Sequence, residues 1–230
     1  MKLLAIDTSS VACSVALQTG GEITVRHEEQ PREHTRLLVP MIGALLDESS
    51  VELADLDAIV LGNGPGSFIG MRIAASVAQG LAFGAGLNIV PVSSLAAVAA
   101  QVFSEHEADE AVVTQDAHMN EVYLGIFRRG DDGLPVEIVP ERLQGQGSIA
   151  ELEQNGAVRV AAGFGWQRYP ELLVANRDRI ATVSEVLYPR ASDLLGFAPA
   201  LIEIGGAVAP QDIVPAYLRQ KVAEKPTPIL

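Results

Sequence analysis

Residues 2–28 decide the fold, and they read Lys2-Leu3-Leu4-Ala5-Ile6-Asp7, Thr8-Ser9-Ser10, Val11-Ala12-Cys13-Ser14-Val15-Ala16-Leu17-Gln18, Thr19-Gly20-Gly21 and Glu22-Ile23-Thr24-Val25-Arg26-His27-Glu28. The first run is short, apolar and closed by an aspartate, which predicts a buried strand. Val11 to Gln18 predicts a second strand. Gly20-Gly21 supplies the positive φ angles of a tight hairpin turn. Glu22 to Glu28 alternates, with Ile23 and Val25 on one face and Thr24 and Arg26 on the other, and predicts a half-exposed third strand.

Beyond this meander the pattern changes to strand and helix in turn. Thr35 is the expected N-cap of a helix to about Ser49, with Pro40 near its first turns. Asp57 to Gly62 predicts a fourth strand. Asn63-Gly64-Pro65-Gly66-Ser67 launches a second helix, Phe68 to Ala85. Asn88 to Val92 predicts a fifth strand, and Ser93 opens a third helix to about Ser104. Three strands followed by helix, strand, helix, strand and helix give an α/β layer with a mixed sheet and helices on both faces. This order resembles the ribonuclease-H-like unit that actin-like (ASKHA) proteins use twice. The second half begins the same way, with a strand pair at Ala111–Asp116 and Glu121–Arg128. A strand at Val158–Ala162, a helix near Ala191–Ile204 and a tail from Pro210 follow. The expectation is a two-lobed fold, with residues 1–105 as first lobe and 106–230 as a reduced second lobe. The acid-rich Glu105–Glu110 stretch is the expected hinge.

Composition narrows the function. A net charge of −13 and a pI near 4.7 disfavour autonomous binding to a nucleic-acid backbone. Arg219, Lys221 and Lys225 form the one basic cluster of note, and read as a solvated tail. Cys13 is the only cysteine, which excludes an intramolecular disulfide and a cysteine-rich zinc site. Asp7 arrives too early for a signal-peptide core. The apolar runs are interrupted before they reach the length of a membrane span, so the expected location is the cytosol.

Several patterns invite catalytic readings and fail them. Asp7, Ser9 and Ser10 stand where actin-like proteins face ATP phosphates and magnesium, but the glycine such a turn needs is missing. Asp116-Ala117-His118-Met119 stands at the matching point of the second lobe, again without glycine, and Gly163-Phe164-Gly165 only loosely suggests an adenosine-binding turn. Gly62 to Ser67 lacks both the Gly-Lys-Ser/Thr ending and the G-x-G-x-x-G spacing, and reads as a tight strand-to-helix connection. His27, His34, His106 and His118 hold no metal-ligand spacing, and there is no G-x-S-x-G elbow. His34 is expected at the helix entry.

The runs Leu4-Ala-Ile-Asp-Thr-Ser-Ser, Pro31-Arg-Glu-His-Thr, Gly62-Asn-Gly-Pro-Gly-Ser-Phe-Ile-Gly-Met-Arg-Ile, Asp116-Ala-His-Met-Asn-Glu-Val-Tyr and Pro215-Ala-Tyr-Leu-Arg resemble, in this order, those of the bacterial TsaB (YeaZ) family. The resemblance runs from the first strand to the tail and is densest in the first half. It implies a non-catalytic subunit of the machinery that places threonylcarbamoyl on the adenosine beside the tRNA anticodon. Its implied partners are the catalytic paralogue TsaD and the ATPase TsaE, with tRNA met only through the complex. The threonylcarbamoyl-AMP donor is made by TsaC. The paralogue's H-x-x-x-H metal motif would fall at Ser94 to Val98, so both histidines are replaced. No metal, cofactor or catalytic residue is therefore expected in this chain. The rival reading is an ATP-dependent phosphotransferase or hydrolase in its own right.

The first two helices carry the expected interface. Ile69, Ile73, Val77 and Leu81 form a stripe assigned to the sheet. Met71, Ala75, Ala78 and Ala82 are then left for a partner, joined by Leu37, Met41 and Leu45 of the first helix. Two helices apolar nearly all round call for a third layer, either the paralogue or, in the isolated protein, a second copy.

Overall fold

The computed structural model describes residues 1–152 and 155–219. The opening meander forms as β1 (Leu3–Asp7), β2 (Ala12–Thr19) and β3 (Glu22–Glu29). Helix α1 (His34–Glu48), β4 (Ala58–Gly62), α2 (Phe68–Ala85), β5 (Ile89–Val92) and α3 (Ser94–Glu105) follow. The sheet order is β3-β2-β1-β4-β5, antiparallel across the meander and parallel from β1 outward. Glu33, not Thr35, is the N-cap of α1, and its side chain makes no capping bond. Ser67 and Ser93 do cap α2 and α3, accepting from the amides of Gly70 and Ala96.

The second half repeats the order. Its strands are β6 (Glu110–Asp116), β7 (Glu121–Arg129), β8 (Pro135–Gly145), β9 (Arg159–Ala162) and β10 (Thr182–Val183). They line up as β8-β7-β6-β9-β10, again with an antiparallel meander and parallel outer pairs. The reduction lies in the helices, since α4 (Phe164–Arg168) and α5 (Pro170–Asn176) run only 5 and 7 residues. The expected helix near 191–204 is a 3-10 stretch, Ala191–Phe197, running into α6 (Ala198–Glu203).

Alternation along β1 sends Leu4 and Ile6 to the face under α1 and α2, and Leu3 and Ala5 to the face under residues 191–198. Both faces are therefore covered, which is why the strand reads as continuously apolar. Helix α3 lies between the lobes. Its Ala97 joins the first sheet's core, while Leu95, Val98, Val102 and Phe103 pack with Val113 and Phe127 of the second sheet.

The face of α2 assigned to a partner is core in the structure, while Ile73, Val77 and Leu81 of the stripe assigned to the sheet pack, partly buried, against the same core. Ala75, Ala78 and Ala82 are buried against the first sheet, Ala78 at 0% exposure, with Met41 and Leu45 of α1, and Met71 is buried against the loop at Gly64. Ile69 is 70% exposed instead. There are two physical reasons. Leu4, Ile6, Ile59 and Leu61 already fill the layer above the sheet, so the helix that comes down on them has room only for small side chains. In addition, residues spaced by four drift about 40° per step around a helix. The Ile69–Ile73–Val77–Leu81 stripe therefore starts in solvent and ends half-buried. Of the residues expected at an interface, only Leu37 remains partly exposed.

Helix α2 is also long and apolar enough to cross a membrane by length and composition alone, with a mean hydropathy of 1.3 over 18 residues. Its position on the sheet accounts for the buried side alone, which is 33% of that window.

Ala78→Glu is thus expected to unfold the protein rather than spare it. A carboxylate buried without a partner costs roughly 3–5 kcal/mol. Urea melts of the isolated variant check this, and an unchanged midpoint would contradict the placement of α2.

Candidate functional site

The site grows from the end of β1. Asp7 is buried at 1% exposure, with one carboxylate oxygen accepting from the amide and hydroxyl of Ser9, both at 2.8 Å. Its other oxygen accepts from the Ser94 hydroxyl at 2.6 Å. Burial pushes the Asp7 pKa above 3.8, against the hydrogen bonds from Ser94 and Ser9 that pull it down.

The Gly62–Gly70 stretch closes over this carboxylate. A Cβ on Gly62 would lie 1.9 Å from the Asp7 carboxylate, one on Gly66 2.1 Å from the Ser9 carbonyl oxygen, and one on Gly70 1.9 Å from the Thr8 carbonyl oxygen. The amide of Ser67 donates to that Ser9 carbonyl at 2.6 Å, and the Thr8 hydroxyl donates to the Gly70 carbonyl at 2.7 Å. Gly66 and Gly70 serve backbone-to-backbone contact within the chain, and Gly62 makes room for the Asp7 carboxylate.

The second hairpin faces the first across the lobes. Its turn runs through His118, Met119 and Asn120, all with positive φ though none is glycine. Asp116 holds the turn, accepting from the His118 amide and the Tyr169 hydroxyl at 2.8 Å each. Side chains thus stand where a glycine turn would let a phosphate approach. Gly163 and Gly165 press on Thr114, where added Cβ atoms would lie 2.1 and 2.5 Å from its oxygens, so packing explains that pair. Between the hairpins lies a cleft of about 570 Å³, reached by Ser9, Ser10, His34, Asp116, His118 and Tyr188. His34 sits at the entry of α1, with its Nε2 2.9 Å from the Ser10 carbonyl oxygen.

The structure brings Asp7 and Ser9 together, while Ser10 turns to cap Ala12. Ser94, at the position expected to replace a metal-ligating histidine, is the side chain that closes the Asp7 network. Among the described residues no cluster of three metal-ligating side chains forms. Cys13 of β2 is buried on the α1 and α2 side of the sheet, and burial, with Asp7 and Glu28 nearby, pushes its thiol up to about 12. Glu141, reaching from β8 to hydrogen-bond with Ser93 at the start of α3, is pushed up to about 7, chiefly by burial. Sequence reasoning gave no role to Tyr169, Tyr217 or Glu141: Tyr217 and Glu141 act across the lobes, and Tyr169 reaches Asp116 from 53 residues away. Of the expected basic cluster, Arg219 pairs with Glu121 at 2.7 Å, and Lys221 and Lys225 lie outside the described residues.

A 3-2-1-4-5 sheet present twice, with the two first hairpins facing each other across a cleft, defines an actin-like two-lobed protein. Comparison with known proteins narrows the class. The family model described as TsaD, tRNA N6-adenosine threonylcarbamoyltransferase, matches residues 18–171. The tRNA threonylcarbamoyladenosine biosynthesis protein TsaB of Escherichia coli is 38% identical, covering 99% of both chains. Its Haemophilus influenzae counterpart is 39% identical over 99% of this chain and 98% of its own. The crystal structure of YeaZ from Pseudomonas aeruginosa superposes with a TM-score of 0.85 at 36% identity, over 94% of this chain and 99% of that one. A second Pseudomonas aeruginosa structure, described as an uncharacterized protein with similarity to peptidase YeaZ, gives the same TM-score and identity. The chain belongs to the TsaB family.

Raised carboxyl pKa values fix a sign for the pH dependence. A carboxyl that titrates higher when folded favours the folded state in its protonated form. That contribution is full below the unfolded value and is lost as pH climbs through the folded one. For Glu141 the loss falls between 4.5 and about 7, and for Asp7 it begins at 3.8. Thermal melts should therefore show lower stability at pH 8 than at pH 5. Asp7→Asn and Glu141→Gln should each recover part of the difference at pH 8 and little at pH 4.

Proposed function

We propose that this chain is the non-catalytic subunit of a tRNA threonylcarbamoyladenosine-forming complex, docking a TsaD-like catalytic paralogue through the outer faces of α1 and α2. The paralogue transfers threonylcarbamoyl from threonylcarbamoyl-AMP to the adenosine next to the anticodon. A TsaE-like ATPase joins the larger assembly, and tRNA is met through the complex in the cytoplasm. Alone, the chain pairs with a second copy through the same surface.

The observation that carries this reading is the outer face of α2. Ile69 is 70% and Phe83 79% exposed, and they share that face with half-buried Ile73. Added Cβ atoms on Gly80 and Gly84 would meet nothing within 4 Å. Beside them α1 exposes Val39 and Pro40, and Gly43 is equally open. A glycine inside a helix costs about 1 kcal/mol relative to alanine, and nothing within the chain repays it at these positions. Two adjacent helices that expose apolar groups and open glycines suit the close approach of a second helix pair. The non-catalytic part of the reading is supported by Asp7. Both oxygens of its carboxylate are engaged by Ser9 and Ser94 within the chain.

Gly80→Leu separates this surface from ordinary stability. The free protein should gain about 0.5–1 kcal/mol from the better helix former. The same variant should lose the paralogue on a sizing column and fail to support tRNA modification in cells. Val158→Glu, on an exposed site of the second lobe, should keep both. Retained paralogue binding by Gly80→Leu would place the interface elsewhere.

A further inference from the structure

Arg72 is the only charged residue on α2, and it sits on the outer face next to Ile69 and Ser76. Its guanidinium carbon lies 3.4 Å from the centroid of the Phe68 ring and 5.4 Å from that of Tyr217. Its Nε donates to the Tyr217 hydroxyl oxygen at 2.9 Å. Among the described residues it forms no ion pair, and neither terminal nitrogen makes a hydrogen bond. An arginine on a bare helix surface is a mobile charge with high side-chain entropy. This one stacks on the Phe68 ring and is tied by its Nε to the Tyr217 hydroxyl, with the outer pair of nitrogens free among the described residues.

The tie to Tyr217 is built by the end of the described chain. Val208 pairs with Ile89 at the edge of the first sheet, Ile213 enters the first lobe's core, and the Ala216 amide donates to the Asn63 carbonyl. Tyr217 is thereby fixed over Arg72. Leu218 then packs against the second lobe, and Arg219 donates to the Ala117 carbonyl at 3.0 Å and to Glu121. A strap anchored at both ends leaves Tyr217 little freedom, so the guanidinium plane is set before any partner arrives.

We propose that Arg72, held by Phe68 and Tyr217, is the specificity-determining contact of the α1–α2 surface and takes a carboxylate from a helix of the docked protein. The inference rests on the docking role argued above. A fixed fork with two parallel donors matches a carboxylate in a bidentate pair, the strongest charge-assisted geometry available to a side chain. The surroundings favour protein over nucleic acid. The same face carries Ile69, Gly80 and Phe83, which suit an apolar helix, and the chain's net charge of −13 repels a phosphate backbone. Prepaid ordering makes such an arginine a binding hot spot and a bar to partners lacking the acid. Tyr217 acts through Arg72 and is a positioning residue.

The test is titration calorimetry of the full chain with its purified TsaD-type paralogue, for Arg72→Ala, Arg72→Lys, Tyr217→Phe and Gly80→Leu. Arg72→Ala should weaken association by at least about tenfold with an unchanged thermal melt. Arg72→Lys should restore little, because a point charge lacks the fork. Tyr217→Phe should weaken binding severalfold in the native background and add nothing beside Arg72→Ala. Binding within twofold for Arg72→Ala, while Gly80→Leu abolishes it, overturns the arginine contact and leaves the docking face standing. Binding unaffected by either variant means that the docking reading itself has failed. Loss of tRNA affinity by the assembled complex, with subunit association intact, would make the arginine a phosphate contact and also overturn the proposal.

Discussion

The contact on which the rest depends is the backbone-to-backbone closure of the Gly62–Gly70 stretch over Asp7-Thr8-Ser9. Carbonyl oxygens of Thr8 and Ser9 lie where side chains of Gly70 and Gly66 would otherwise be. That closure fixes the start of α2 against the end of β1, and so fixes the height of α2 above the sheet. The alanines beneath the helix follow, since no larger side chain fits at that height. Ile69 and Phe83 are left on the far side as surface, while Ile73, Val77 and Leu81 reach the core only in part. One close approach of two loops thus accounts for the apolar outer face.

The two lobes have the same strand order but use it differently. The first lobe carries long helices on one face and offers them outward. The second has short α4 and α5, and its first hairpin turns through three left-handed residues that bear side chains. Helix α3 is shared, which is why it is apolar on nearly every side. The strap of residues 208–219 then ties the outer helix of one lobe to the hairpin of the other, so the cleft and the proposed docking face share one tether.

Much of this was legible in the residues. The meander of residues 2–28, the strand-helix alternation after it and the repeat of the order in the second half all follow from periods of two and 3.6 and from Gly20-Gly21. The serine caps of α2 and α3 follow from local chemistry. Strand β8 was missed because it is an edge strand with two prolines and mostly exposed alternate positions, which gives no apolar signal. The one-turn helices of the second lobe are too short for a period to register.

The sequence by itself determined the fold class and the family, because each is written in local pattern or in short runs of consecutive residues. Only the tertiary structure decided which side of α2 faces the sheet. Both sides are apolar, so hydropathy cannot choose between them, and the choice was made by volume: large strand side chains below admit only alanine above. It also decided that Arg72, Phe68 and Tyr217 form one unit. Tyr217 lies 145 residues from Arg72, and no local rule reports a contact that depends on where a strap crosses the molecule.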